Sequence, residues 1–327
     1  MALVEEILKG DEKSAARLIS QVEEGKREAY IALSKLLPHT RNAHILGITG
    51  PPGAGKSTLA GRLAVLFSDH GNKVGVIAMD PTSIKGRGAF LGDRLRMKEA
   101  EKKHIFIRSM AHRGYPGGIA RAAAGAVLVL EGLGKDMIIL ESVGAGQSEK
   151  GLFYLCDTVI ALFTPDYGDE VQLMKAGLME IGDIIVVNKA DKPKAAEAER
   201  ELGVFSAYRA RSNGWNIPIL LTQADRGEGM EALVQAIERH WQSLTEGGGR
   251  EKKKKEKTGA FVMALLKEEL WRLFIEKLSG SALFNGIVDD VHSGEIDPYS
   301  AIVKIFDGMG MKGWEKGGTR LRHYDKS

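Results

Sequence analysis

Two short stretches of this chain carry residue types and spacings that can handle a nucleotide. Gly50-Pro51-Pro52-Gly53-Ala54-Gly55-Lys56-Ser57 fits the pattern G-x-x-x-x-G-K-[ST], directly after the apolar run 45–48 and opening a helical stretch over 58–67. Glycines there let backbone N–H groups curl round a phosphate at a helix N-terminus, the Lys56 ammonium reaches the β and γ oxygens, and the Ser57 hydroxyl can face Mg²⁺. Asn188-Lys189-Ala190-Asp191 follows the apolar run 184–187 and matches N-K-x-D. A carboxylate at its last position can accept both N1–H and N2–H of guanine, whereas adenine offers an acceptor at N1 and lacks the 2-amino group. A site built around a substrate donor rejects an analogue lacking it by about 10⁴ to 10⁵. The pair of motifs therefore points to GTP rather than ATP.

Other residues fall at neighbouring strand ends. Thr222-Gln223-Ala224 closes the last apolar run, and Gln223 and Ala224 occupy the place of a second base-contacting loop. Asp80 closes the run 74–79 and Glu141 closes 137–140, so both carboxylates belong at the phosphate side of a sheet, where they can hold Mg²⁺ directly or through water. Gly144-Ala145-Gly146-Gln147-Ser148 follows and reads as a switch able to sense a γ-phosphate and orient water.

These residues need a scaffold, and the hydrophobic pattern supplies one. Apolar runs at 45–48, 74–79, 105–107, 137–140, 158–163, 184–187 and 217–221 are too short for helices and mostly continuous, as in strands buried on both faces of a parallel sheet. Helical stretches fall between most of them. The expected fold is an α/β P-loop domain with a mostly parallel sheet of about seven strands covered by helices. Residues 3–37 have apolar positions at helical spacing and end at Pro38, predicting a helical extension over 1–43 ahead of a nucleotide domain over 44–245. Gly247 to Gly249 and the run 250–257 read as a linker, followed by an amphipathic helix over 258–278 and a short helix capped by Asp297 with Pro298 at its first position. Residues 246–327 are thus a linker and a helical appendage whose apolar stripes must pack on the nucleotide domain or on a second copy of the chain.

Composition narrows the class. The 327 residues are 27% charged and 43% hydrophobic with a formal net charge of +3, which argues against disordered, collagen-like or supercharged proteins. Residues 250–257 alone hold six basic and two acidic residues, so the basic excess is local and reads as a solvated linker rather than a nucleic-acid or membrane surface. The single cysteine, Cys156, can form neither an internal disulfide nor a Cys-rich zinc site, which fits a reducing, cytoplasmic setting. Neither a secretory signal nor an apolar run long enough to span a bilayer is visible.

The order of several motifs gives a more specific likeness. Gly47-Ile48-Thr49-Gly50 leading into the P-loop, Asp80-Pro81-Thr82-Ser83, Leu91-Gly92-Asp93-Arg94, Glu141-Ser142-Val143-Gly144-Ala145-Gly146-Gln147-Ser148, Gly168-Asp169-Glu170 and Asn188-Lys189-Ala190-Asp191 together resemble the MeaB/ArgK-type GTPases. These are G-protein chaperones of adenosylcobalamin-dependent methylmalonyl-CoA mutase and its relatives. The resemblance implies a P-loop domain of the signal-recognition and metallochaperone GTPase class, flanked by an N-terminal helical extension and a C-terminal dimerisation arm. It also implies phosphate binding by Gly53, Ala54, Gly55, Lys56, Ser57 and Thr58, and Mg²⁺ held by Ser57 with Asp80, Asp93 and Glu141. Guanine would be read by Asn188, Lys189 and Asp191. Gln147 and Lys175 fall in regions that the family uses as switches, and with Lys56 and Glu141 they complete the catalytic set it implies. The expected activity is slow GTP hydrolysis accelerated by a mutase, in a homodimer that binds no nucleic acid and no membrane.

The chain departs from that family's common pattern at Ser142, where Thr is usual, and the tail 308–327 matches nothing. Members of that family serve different mutases, so the clients that the resemblance implies include mutases of other acyl-CoA substrates, with partner choice placed in that tail. Asp290-Val291-His292-Ser293-Gly294-Glu295 begins like the D-x-H-x-x-G motif of cobalamin-binding domains but has Glu295 where Gly is needed, so cobalamin belongs to the partner. Two other readings share the P-loop. A metal-insertion GTPase needs His and Cys ligands, and this chain has one Cys and eight scattered His. A small-molecule kinase needs an acceptor site, and no motif for one is visible.

Overall fold

The computed structural model describes residues 2–40, 43–80, 103, 105–111, 118–142, 153–165, 178, 180–213, 215–246 and 249–310. Its centre is one sheet of seven strands: β1 (His44–Thr49), β2 (Val74–Asp80), β3 (Phe106–Ala111), β4 (Met137–Glu141), β5 (Thr158–Phe163), β6 (Ile184–Asn188) and β7 (Ile219–Thr222). They lie in the order β3-β2-β4-β1-β5-β6-β7, and every pairing is parallel. Each apolar run in the sequence became a strand because helices cover both faces, leaving β4, β5 and β6 buried along their whole length. The third run is shifted. The apolar pattern places it at 105–107, but the strand runs from Phe106 to Ala111 and includes Arg108 and Ser109, because β3 is an edge strand with less apolar surface to bury.

From β1 the chain passes to β2 and the edge strand β3, returns to insert β4 between β2 and β1, then continues through β5, β6 and β7 on the other side. That reversal opens a crevice at the carboxyl ends of the strands, the usual ligand position in an open α/β sheet. One face is covered by α4 (Lys56–Asp69) and α7 (Met230–Glu246), whose Leu59, Leu63, Phe67, Leu233 and Ile237 pack on Leu46, Ile48, Ile160 and Val186. Burying each such side chain contributes about 1.5–3 kcal/mol. At the opposite end of the strands, Thr158 Oγ1 bridges His44 Nε2 and His240 Nδ1 at 2.8 Å each, fastening α7 to β1 and β5.

The other face holds α5 (Gly118–Gly132), α6 (Ala195–Asn213) and the N-terminal helices α1 (Ala2–Leu8), α2 (Glu12–Glu23) and α3 (Arg27–Leu36). The periodicity over 3–37 thus yields three short helices, broken at positive-φ Gly10 and Gly25. Asp11 caps α2, its carboxylate accepting from the Ser14 N–H at 2.7 Å, and the hydrogen bonds from Ser14 hold the Asp11 carboxyl below the usual carboxylate range. Ile7, Leu18, Ile19, Leu33 and Leu36 form one core with α5 and β2 to β4. The approach is close: a Cβ on Gly125 would lie 2.6 Å from a Val22 methyl. Polar contacts add to it, with Arg108 donating to Glu23 at 2.7 Å and to Ser20 at 2.9 Å, which ties α2 to the edge strand β3.

The chain divides into two compact units at Leu265/Leu266. Helix α8 (Gly249–Leu278) crosses that boundary and begins nine residues earlier than the hydrophobic pattern predicts, because the Lys and Glu of 250–257 are strong helix formers even without an apolar face. The second unit contains the rest of α8 with α9 (Ala282–Ser293) and α10 (Pro298–Gly308). Phe274 meets Phe306 at 5.9 Å between ring centres. Asp297 caps α10 as its position before Pro298 predicts, accepting from the Tyr299 and Ser300 N–H groups. The Ser300 hydroxyl and then its N–H are the main causes that hold the Asp297 carboxyl low. The sequence pattern does not predict helix α9, capped by Ser281, since Asn285 and Gly286 interrupt its helical signal. Among the described residues no helix is long and apolar enough to cross a membrane.

Candidate functional site

The P-loop lies at the carboxyl end of β1, the central strand, and α4 begins at Lys56 immediately after it. Gly55 caps α4 with φ 96°, a left-handed conformation that only glycine adopts without strain. A Cβ there would also sit 2.4 Å from Asn188 Nδ2, so the glycine is needed for close approach as well as for conformation. Lys56 is 7% exposed, and its ammonium lies within the curl of the loop, donating to the carbonyls of Gly50 at 2.9 Å and Pro51 at 3.0 Å. A buried cation at the positive end of a helix makes this concavity a receptor for anions. Thr58 follows on the first turn of α4.

The Ser57 hydroxyl donates to Glu141 Oε1 at 2.6 Å, and both side chains are buried. Parallel register brings them together: Glu141 ends β4 beside Ile48 of β1, one residue before the strand turns into the loop. A hydroxyl and a carboxylate oxygen side by side next to a phosphate loop form the kind of donor pair a hard divalent cation takes. Asp80 ends β2, two residues beyond the level of Glu141 on the neighbouring strand. Its backbone is at the expected strand end, while its side chain is outside what the structure describes. Asp93, Gln147 and Lys175 also lie outside the described residues.

At the other end of the loop, β6 and β7 bring the N-K-x-D segment and the Thr222-Gln223-Ala224 segment together, with Asn188 opposite Thr222. The Asn188 amide donates to the Ala54 carbonyl at 2.8 Å and accepts from the Thr222 hydroxyl and the Ala224 N–H, each at 3.1 Å. Asn188 therefore ties its own segment to two others, and Ala54 engages only one of its two amide donors. Lys189 has φ 58°, the only positive value for a non-glycine among the described residues, and its ammonium donates to the Gly53 carbonyl at 2.9 Å. Asp191 is exposed one turn further on. Gln223 closes a tight turn with Glu228, pairing with it through both backbone and side chain.

Sequence reasoning thus located the strand ends, and the structure brings Gly53, Ala54, Gly55, Lys56, Ser57, Glu141, Asn188, Lys189, Gln223 and Ala224 to the same edge of the sheet. It missed Arg62, which reaches the Ala224 and Asp225 carbonyls from α4. Only a contact between residues 162 positions apart could have shown it.

The comparisons with known proteins agree with this geometry. The family model described as methylmalonyl-CoA mutase-associated GTPase MeaB matches residues 15–279. A Pyrococcus abyssi protein named for GTPase activity is 41% identical over 323 residues, 94% of this chain and 97% of its own length. The mitochondrial methylmalonic aciduria type A homolog of Caenorhabditis elegans is 32% identical over 273 residues, 81% of this chain and 68% of its own length. Among solved structures, a LAO/AO transport system kinase shares the fold with a TM-score of 0.70 at 24% identity, over 94% of this chain and 97% of the other. With a P-loop and an N-K-x-D segment joined at one sheet edge, a family match over most of its length and close relatives named for the same activity, the chain belongs to the MeaB family of P-loop GTPases, which bind GTP and GDP.

Proposed function

We propose that this GTPase is a nucleotide-gated chaperone of an adenosylcobalamin-dependent acyl-CoA mutase, controlling cofactor loading and protecting the loaded enzyme. The observation that carries the nucleotide half is the direct joining of the two motifs, Asn188 to Ala54 and Lys189 to Gly53, which gives the base and phosphate sites one shared frame. The family description, which names methylmalonyl-CoA mutase, supports the partner.

In this reading the N–H groups of 53–58 and the Lys56 ammonium hold the β and γ phosphates, and Asp191 accepts the N1–H and N2–H of guanine. Asn188 and Lys189 keep the base pocket registered on the loop, with Gln223 and Ala224 on its far side. Ser57 and Glu141 would hold Mg²⁺, helped by Asp80 and Asp93; the ion would neutralise charge developing on the phosphate oxygens. Lys56 adds to that neutralisation. Gln147 and Lys175 are assigned as switch residues that respond to the nucleotide state. Intrinsic hydrolysis is slow, and the partner accelerates it by completing the charge complement around the phosphates.

The chain acts as a homodimer through its C-terminal helices. Leu266, Leu270 and Leu273 of α8, all within the second unit, are each about half exposed, an apolar stripe suited to a second copy. A reducing cytoplasm suits the lone, buried Cys156. The partner assignment is checked by measuring GTP turnover with and without adenosylcobalamin-dependent acyl-CoA mutases. A stimulation of at least about tenfold by one of them, specific to GTP, is expected. Turnover indifferent to every such mutase would contradict the chaperone assignment.

A further inference from the structure

Arg62 lies on α4, six residues past the P-loop lysine, and points to the opposite end of the nucleotide site. Its Nε donates to the Ala224 carbonyl at 3.3 Å and its Nη2 to the Asp225 carbonyl at 3.0 Å. Two successive carbonyls suit the fixed fork of a guanidinium, and a lysine in the same place could meet only one of them at a time.

The loop held in this way has a defined shape. The Gln223 carbonyl accepts from the N–H groups of Arg226, Gly227 and Glu228 at 3.0, 2.9 and 3.2 Å, so 223–228 closes on itself. Ala224 is 1% exposed, and its N–H reaches Asn188 Oδ1. The internal bonds set the form of the turn, while Asn188 ties it to β6 and Arg62 ties it to α4. The helix that begins at the phosphates is thereby fastened to the loop that flanks the base.

We infer that Arg62 is a positioning residue for base recognition: it holds the 223–228 loop against α4, so that the Ala224 peptide and the Asn188 amide keep one geometry at the purine site. The inference rests on the guanine reading of that site. The Arg62 contacts to Ala224 and Asp225 lie on the base side of the site, so its removal is expected to weaken selection and affinity and to leave the chemical step alone.

The test is steady-state turnover of GTP and ATP by the full chain and by Arg62→Ala and Arg62→Lys. Arg62→Ala is expected to raise KM for GTP about tenfold, the scale of one lost charge-assisted contact, and to narrow the preference for GTP over ATP. Its kcat at saturating GTP stays within about twofold of the parent, and Arg62→Lys falls between the two. An unchanged KM and preference in Arg62→Ala overturns the inference, and so does a fall in kcat with the preference intact, which marks a merely structural side chain. Should Arg62→Ala fail to fold, Arg62→Lys decides: a raised KM with narrowed preference supports the inference, and parent values overturn it. A parent without preference for GTP overturns the guanine reading and this inference with it. A selective parent with an unchanged variant overturns this inference alone.

Discussion

Lys56→Ala is expected to lower GTP turnover by about 10² to 10³-fold while leaving the helix content and the thermal midpoint close to those of the parent. The lysine is the one P-loop side chain with a full charge, and it is buried inside the concavity, where a cation acts in a lower dielectric than water. It donates to the carbonyls of Gly50 and Pro51, so the protein already holds the ammonium where phosphate oxygens would meet it. That preorganisation is why the loss falls on turnover and nucleotide affinity. The fold survives because the sheet core around Leu46, Ile48, Leu59 and Leu63 does not depend on the loop charge. Lys56→Arg should not rescue, since a planar guanidinium replaces a compact ammonium in a closely fitted loop. Phosphate release measured beside circular dichroism decides the matter. A folded Lys56→Ala protein hydrolysing GTP at the parent rate would contradict the phosphate assignment.

Asp191→Asn is expected to invert nucleotide preference, from GTP towards XTP, by at least about 10³-fold in the ratio of their affinities. Xanthine carries a carbonyl where guanine carries the 2-amino group. A carboxylate accepts from the amino group and repels the carbonyl, whereas a carboxamide presents a donor to it. Asp191 is exposed in the turn after β6, so the exchange leaves the core untouched and the effect can be read as recognition rather than as stability. Competition of GTP and XTP for the same protein measures it. An unchanged ratio would remove Asp191 as the base reader and leave the P-loop assignment standing.

How much of this was legible beforehand differs between elements for physical reasons. The strands could be read because a parallel sheet covered on both faces needs continuous apolar runs, as in 137–140 and 184–187. The edge strand β3 extends past its apolar run because Arg108 and Ser109 break that pattern, and the reason for the Arg108 charge lies in Ser20 and Glu23 on a helix far away in the chain. Helix α10 announces itself through Asp297 and Pro298, while Asn285 and Gly286 hide α9, whose start is marked by Ser281 accepting from the Phe284 N–H.

The site shows the same division. Lys56, Ser57, Asn188 and Asp191 were visible because a nucleotide demands fixed residue types at fixed spacing. The pairing of Ser57 with Glu141 could be anticipated only as two strand ends on one side of the sheet; the 2.6 Å contact depends on the register of β1 and β4. The bracing role of Asn188 and the reach of Arg62 were invisible, because both are made between segments with no sequence relation to each other.

The most direct measurement is turnover of GTP against ATP by the purified chain with Mg²⁺ present. A P-loop joined through Asn188 and Lys189 to a guanine-reading segment predicts phosphate release from GTP, with ATP slower by at least about 10³-fold in kcat/KM. Equal use of the two nucleotides would contradict the claim that these two motifs form one guanine-specific site.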